Sequence, residues 1–125
     1  MNAEINYREL AELVFKAMNS CDFDTFETVI TEDVVFDFPG AGRAEGDRRS
    51  LLLMRSIIRK FPKLHFDVTE TIVEGNRACV IWTNEGEDLQ GNSYSNSGAT
   101  FIHFSADKIC FLSDYFKDTS FIQSS

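Results

Sequence analysis

Asp114 is the residue that most invites a chemical reading. In the run Lys108-Ile109-Cys110-Phe111-Leu112-Ser113-Asp114-Tyr115-Phe116 it shares strand parity with Cys110, Leu112 and Phe116, which places one carboxylate on an otherwise apolar face. Burial without a charge partner disfavours the ionised form. It lifts the pKa from its ordinary value of about 3.9 toward the range useful for general acid–base work. Two structural readings stay open beside this one, a strand-end cap and a pair with an arginine. Thr83, Glu85 or Thr100 could supply the hydrogen bonds that make such a group tolerable, and the three are candidate substrate-binding residues.

Other chemistries find little support in the residue pattern. His65 and His103 lack cysteine or carboxylate partners at metal-ligand spacing, so no metal site is expected, and neither has a credible nucleophile or orienting acid for covalent catalysis. The stretch Gly40-Ala41-Gly42-Arg43-Ala44-Glu45-Gly46 lacks the Gly-Lys-Ser/Thr ending of a phosphate loop and reads as a flexible rim. Arg48 and Arg49 oppose the macrodipole in the first turn of a helix, either as solvated surface or to meet Glu45 or an anionic ligand.

The elements that must position Asp114 follow from periodicity. Leu10, Leu13, Val14, Ala17 and Met18 recur at helical spacing and predict an amphipathic helix over Tyr7 to Met18. Asp22 suits the N-cap of a short second helix whose apolar side is Phe23, Phe26 and Ile30. Val34 to Phe38 predicts a strand that ends at Pro39-Gly40, and Asp47 to Phe61 a third helix that stops at Pro62. From Leu64 the period falls to two. Four strands are expected, about Leu64 to Glu74, Arg77 to Glu87, Ser93 to Ser105 and Lys108 to Lys117, joined by breaks short enough for an antiparallel meander.

With 125 residues, 43% of them hydrophobic, the chain can bury one core, and a single domain over 1–125 is expected. A formal charge of −8 argues against a nucleic-acid partner, since phosphate binding needs clustered Lys and Arg. No apolar run approaches the roughly 20 residues that span a bilayer, and no signal-peptide core is seen, so no membrane partner and a cytoplasmic location are expected. Cys21, Cys79 and Cys110, odd in number and widely spaced, read as buried thiols.

In Cys79-Val80-Ile81-Trp82 and Ile109-Cys110-Phe111-Leu112 apolar residues occur at both parities, so both sheet faces need cover, and three helices can cover only one. The other face would carry Trp82, Phe101, Phe111 and Tyr115, a patch larger than a soluble monomer usually exposes. A homodimer through that face is the expectation.

Helices, a strand, a long helix and a meander resemble the nuclear transport factor 2-like, or cystatin-like cone, fold. The segment Ile30-Thr31-Glu32-Asp33-Val34-Val35-Phe36-Asp37-Phe38-Pro39-Gly40, and Lys108-Ile109 leading to Asp114-Tyr115-Phe116, look like that family's first strand and turn and its last strand. The nearest subgroup resembled is the SnoaL-like polyketide cyclases, with ketosteroid isomerases and limonene epoxide hydrolases as cousins. The resemblance implies an α+β domain in which a curved, mainly antiparallel sheet wraps around three N-terminal helices as a cone with an internal pocket. Phe38, Phe66, Val68, Ile102 and Phe116 would line it, with Leu13, Met18 and Met54 contributing, although each also reads simply as core.

The cousins can be tested residue by residue. Ketosteroid isomerase, itself a worked example of pKa tuning, needs a carboxylate base, a Tyr and a protonated Asp, and the aligned positions here are Phe38, Val14 and Thr100. Limonene epoxide hydrolase adds an Arg and an Asp to the counterpart of Asp114, and the aligned positions are Thr83 and Glu85. A SnoaL-type cyclase needs little more than one base in an apolar cavity, and Asp114 is implied to fill that role. Three functions therefore compete: a cofactor-independent enzyme moving a proton on a small apolar substrate, a non-catalytic binding protein for an apolar metabolite, and a dimeric interaction module with a filled cavity.

Overall fold

The computed structural model describes residues 6–120; the expected single domain over 1–125 includes ten residues that lie outside this range. Helix α1 (Tyr7–Ser20) is capped by the Asn6 side chain, which accepts from the Glu9 amide, and it buries Ala11, Val14, Phe15, Ala17 and Met18. It ends where Cys21 adopts φ 59°, a left-handed conformation that closes the helix. Asp22 then caps α2 (Phe23–Glu27) by accepting from the Thr25 amide, as its position in the sequence suggested.

Strand β1 (Ile30–Phe38) begins earlier than Val34, and β2 (Gly42–Glu45) pairs back on it antiparallel. The glycine-rich stretch expected as a flexible rim is thus partly an edge strand, made possible by positive φ at Gly40 and Gly42. Helix α3 (Asp47–Lys60) follows, then β3 (His65–Glu74), β4 (Arg77–Glu87), β5 (Ser93–Ser105) and β6 (Lys108–Phe116). The six strands form one mixed, mostly antiparallel sheet in the order β2-β1-β6-β5-β4-β3. Its single parallel pairing, β1 with β6, brings the first strand beside the strand that carries Asp114.

Bulges between Val68 and Glu70 and between His103 and Phe104 shift register locally, which increases strand twist and bending. The core fills the concave side: Val34, Val80, Trp82, Ile102, Phe104 and Leu112 are each at most 2% exposed. Helix α1 is tied to β3 at two points. The Asn19 side chain donates to the Phe66 carbonyl and accepts from the Phe66 amide (2.9 and 2.8 Å), acting as one residue of an extra strand. Thr71 donates to Glu12 at 2.7 Å.

Several side chains lie elsewhere than the sequence suggested. Trp82 is 1% exposed and on the concave face, not on the outer face with Phe101, Phe111 and Tyr115. Thr83 and Glu85, expected in the pocket, point the other way and are exposed. These misplacements have one cause, since side chains alternate along β4 and placing Trp82 outside puts 83 and 85 inside. Cys21 is exposed and Cys79 and Cys110 half-buried, so the three thiols are not core residues. No helix among the described residues is long and apolar enough to cross a membrane.

Candidate functional site

The concave face encloses a cavity of about 240 Å³ between α1, α3 and the sheet. Phe15, Phe66, Phe116 and Phe38 line it, and the buried Trp82 ring behind them links them in a chain of aromatic contacts. Phe15 meets Phe66 at 5.4 Å between centroids, Phe66 meets Trp82 at 5.1 Å, Trp82 meets Phe116 at 5.2 Å and Phe116 meets Phe38 at 5.5 Å. Most of these pairs are close to edge-to-face, the arrangement the ring quadrupoles favour. Met18 and Met54 close the helical side, and Pro39, Gly40, Ala41, Lys60, Phe61 and Tyr94 surround the mouth. Phe61 and Tyr94 pack against one another there at 4.6 Å.

Besides Lys60 and Tyr94, three polar side chains interrupt this lining: Asn84, Thr100 and Asp114. Strand pairing fixes two of them side by side, since Thr100 on β5 is the cross-strand partner of Asp114 on β6. Thr100 Oγ1 donates to Asp114 Oδ1 at 2.7 Å and accepts from the Trp82 indole Nε1 at 2.9 Å. The indole uses up a lone pair of the hydroxyl and thereby directs its one proton at the carboxyl. Asp114 Oδ2 takes no hydrogen bond among the described residues, and no arginine or lysine pairs with the group.

Asp114 keeps a little accessible surface, but protein surrounds it, and that desolvation pushes its pKa up to about 7 against the smaller lowering effect of the Thr100 hydrogen bond. A carboxyl near 7 divides between acid and base at neutral pH, so it can both take and return a proton. Structural roles as a strand-end cap or an arginine partner do not describe it.

Of the residues expected at the site, Asp114, Phe38, Met54, Phe66, Thr100 and Phe116 line this cavity. Ile102 is fully buried in the core beside it. Val68 has the inward parity of Trp82, its cross-strand partner, but sits on an edge strand next to a bulge and is 37% exposed. Thr83 and Glu85 lie on the outer face, so Glu85 does not share a proton with Asp114. His65 is exposed beside Asp67 at 3.4 Å, and His103 packs between Phe101, edge-to-face, and Phe111, tilted, on the outer face. Sequence reading missed Asn84 as a cavity residue and missed that Trp82 is buried on the concave side, behind the cavity wall. The signal for Trp82 was Gly98, the residue opposite it, whose missing side chain leaves room for the indole on the concave side.

No curated protein matches the chain. Among solved structures, a candidate SnoaL-like polyketide cyclase from Jannaschia sp. CCS1 superposes with a TM-score of 0.85 at 14% identity, covering 99% of this chain and 95% of that one. IdmH from Streptomyces antibioticus, a candidate polyketide cyclase, gives 0.77 at 15% identity over 87% and 90% of the two chains. A nuclear transport factor 2-like protein of unknown function from Cytophaga hutchinsonii gives 0.74 at 24% identity over 94% and 95%. At these identities the likeness shows the fold, a nuclear transport factor 2-like cone. The SnoaL-like domain family matches residues 11–112, most of the chain and nearly every element described above, and the chain belongs to that family.

Proposed function

We propose that the chain binds a small apolar molecule in its cavity and moves a proton on it without a cofactor, as a cyclase or isomerase would, with Asp114 as general acid and base. The observation that carries this reading is a carboxyl facing an aromatic cavity, held by a single oriented hydroxyl and by no cation. A structural carboxylate would be paired with a cation or well solvated; this one has no cation and is largely desolvated. The family resemblance supports the same class of reaction.

In this reaction the Asp114 carboxylate accepts a proton through Oδ2 from a carbon next to a substrate carbonyl, leaving an enolate and a neutral acid. The acid then returns the proton, either to another carbon of the same skeleton or to the alkoxide formed when the enolate carbon attacks a second carbonyl. Thr100 keeps Oδ1 occupied throughout, so the proton moves at the other oxygen. The aromatic wall excludes water, which preserves the raised pKa.

The test is deuterium uptake at the activated methylene of 2-tetralone in heavy water, followed by proton NMR. Wild-type protein should accelerate exchange well above buffer, and Asp114→Asn should reduce it to background, since Asn keeps the shape and loses the proton carrier. Unchanged exchange in Asp114→Asn overturns the assignment.

A second copy of the chain as partner belongs to the same proposal. Phe101 and Tyr115 on the convex face are 37% and 62% exposed, beside half-buried Phe111, Cys79 and Ile81, and a copy of the same face would cover them.

A further inference from the structure

Trp82 fills the largest single volume of the core, yet volume alone does not account for it. A buried indole brings an N–H that needs an acceptor, which a phenylalanine at the same place would not. Here the acceptor is the Thr100 hydroxyl at 2.9 Å, and that hydroxyl donates to Asp114 Oδ1 at 2.7 Å. Side chains on three successive strands of the sheet, β4, β5 and β6, are thus joined in one direction, from N–H through O–H to carboxyl. Gly98, across from Trp82 on β5, leaves the space the ring needs.

The direction has chemical consequences. A threonine hydroxyl has one proton and two lone pairs, so on its own it can turn either to donate to a carboxylate or to accept from a carboxylic acid. The indole N–H can only donate, and while it holds the hydroxyl oxygen it favours the first orientation. It also polarises the O–H and strengthens it as a donor. Asp114 Oδ1 therefore stays an acceptor in both ionisation states, the proton of the neutral acid resides on Oδ2, and the charged form is favoured against the desolvation that opposes it.

We infer that Trp82 is a positioning residue for Asp114: through Thr100 it fixes the oxygen at which the proton is exchanged and keeps the carboxyl able to act as a base near neutral pH. This rests on the reading of Asp114 as the proton carrier and adds a residue that lies behind the cavity wall. The other titratable side chains around Asp114 are Lys60 of α3 and Tyr94 of β5 at the cavity mouth, and Asp37 of β1 and Tyr115 of β6, which share a surface hollow with it. Helix α1 offers only Val14, Phe15 and Met18 to the cavity. All of these stay in place when the indole nitrogen is changed, so a shift in the titration reads the indole.

Trp82 is the sole tryptophan of the chain, which makes the test specific. The indole N–H gives one proton NMR signal, and across pH 4 to 9 it should move with the same midpoint as the carbon-13 signal of the Asp114 carboxyl. The movement should vanish in Asp114→Asn. Protein made with β-(benzothiophen-3-yl)alanine in place of tryptophan keeps the ring shape and exchanges the N–H for sulfur. Its Asp114 midpoint should rise by roughly half a unit or more, and the pH profile of deuterium exchange into 2-tetralone should move to higher pH by the same amount. Trp82→Phe serves as a second variant should the analogue protein fail to fold, with the same direction of shift. A purely structural tryptophan would change stability and leave the midpoint where it was, and that result overturns the inference. So does an N–H signal that ignores the ionisation of Asp114. A coupled titration in a protein that exchanges no deuterium at any pH overturns the proton-transfer reading instead and leaves Trp82 as the group that positions the carboxyl.

Discussion

The indole of Trp82 lies against the α-carbon of Gly98 on the neighbouring strand. A Cβ added at position 98 would stand 3.1 Å from two indole carbons and collide with the Tyr115 carbonyl oxygen. The absence of one side chain therefore lets the largest residue of the core cross the sheet and reach Thr100. Gly98→Ala is expected to destabilise by roughly 1–3 kcal/mol, the usual range for overpacking a filled core, because backbone as well as ring must give way. Urea unfolding should show a lower midpoint at unchanged slope.

Thr100 sits in the middle of the relay from Trp82 to Asp114. Thr100→Val keeps the shape, removes the donor to the carboxyl and leaves the indole N–H without its acceptor. The orphaned groups should cost about 1–3 kcal/mol. Since the Thr100 hydrogen bond is what holds the Asp114 pKa down against desolvation, the variant should titrate Asp114 above the wild-type value. Carbon-13 NMR of the carboxyl reads this directly, and a downward shift would contradict the arrangement.

How far the sequence could be read depended on strand periodicity. The helices and the four C-terminal strands emerge at nearly their observed ends because amphipathic spacing, Asp22 as cap and Pro62 as stop all agree. Asp114 stood out because a carboxylate among Leu112 and Phe116 breaks an apolar alternation. Strand β4 could not be oriented in the same way. Its run Cys79-Val80-Ile81-Trp82 is apolar at both parities, so alternation does not say which side faces in, and choosing wrongly moved Trp82 out and Thr83 and Glu85 in together. Asn84 was hidden by the same choice. The short β2 was invisible for a different reason: Gly42-Arg43-Ala44-Glu45 has no apolar alternation, and pairing with β1 alone makes it a strand.

The convex face supplies a further prediction. With Trp82 inside, its substitution would test the core rather than an interface. Phe101→Glu and Tyr115→Glu place a charge on the exposed patch instead. Wild-type protein should sediment at roughly twice the 14.2 kDa chain mass at micromolar concentration, and the double variant as a monomer with its helical content intact. A wild-type species at the chain mass removes the dimer.

The last prediction concerns stability against pH. The folded-state pKa of Asp114 is raised to about 7, whereas the unfolded chain has its ordinary value near 3.8. Between these values the folded protein holds a proton that the unfolded chain releases. Stability from this group is thus fully present below pH 4, falls at about 1.4 kcal/mol per pH unit as the pH rises, and levels off only above the folded value. Asp114→Asn, which cannot ionise and keeps an acceptor for Thr100, should abolish that fall. It should match wild type near pH 4 and exceed it by a few kcal/mol at pH 8, with the largest difference above pH 7. Denaturant midpoints of the two proteins across pH 4 to 8 measure this difference. A gain in stability together with lost deuterium exchange marks a carboxyl kept for its chemistry at a cost to the fold. A variant less stable than wild type at pH 8 would mean that the carboxylate is stabilised in the folded state, and the proton-transfer role would fall with it.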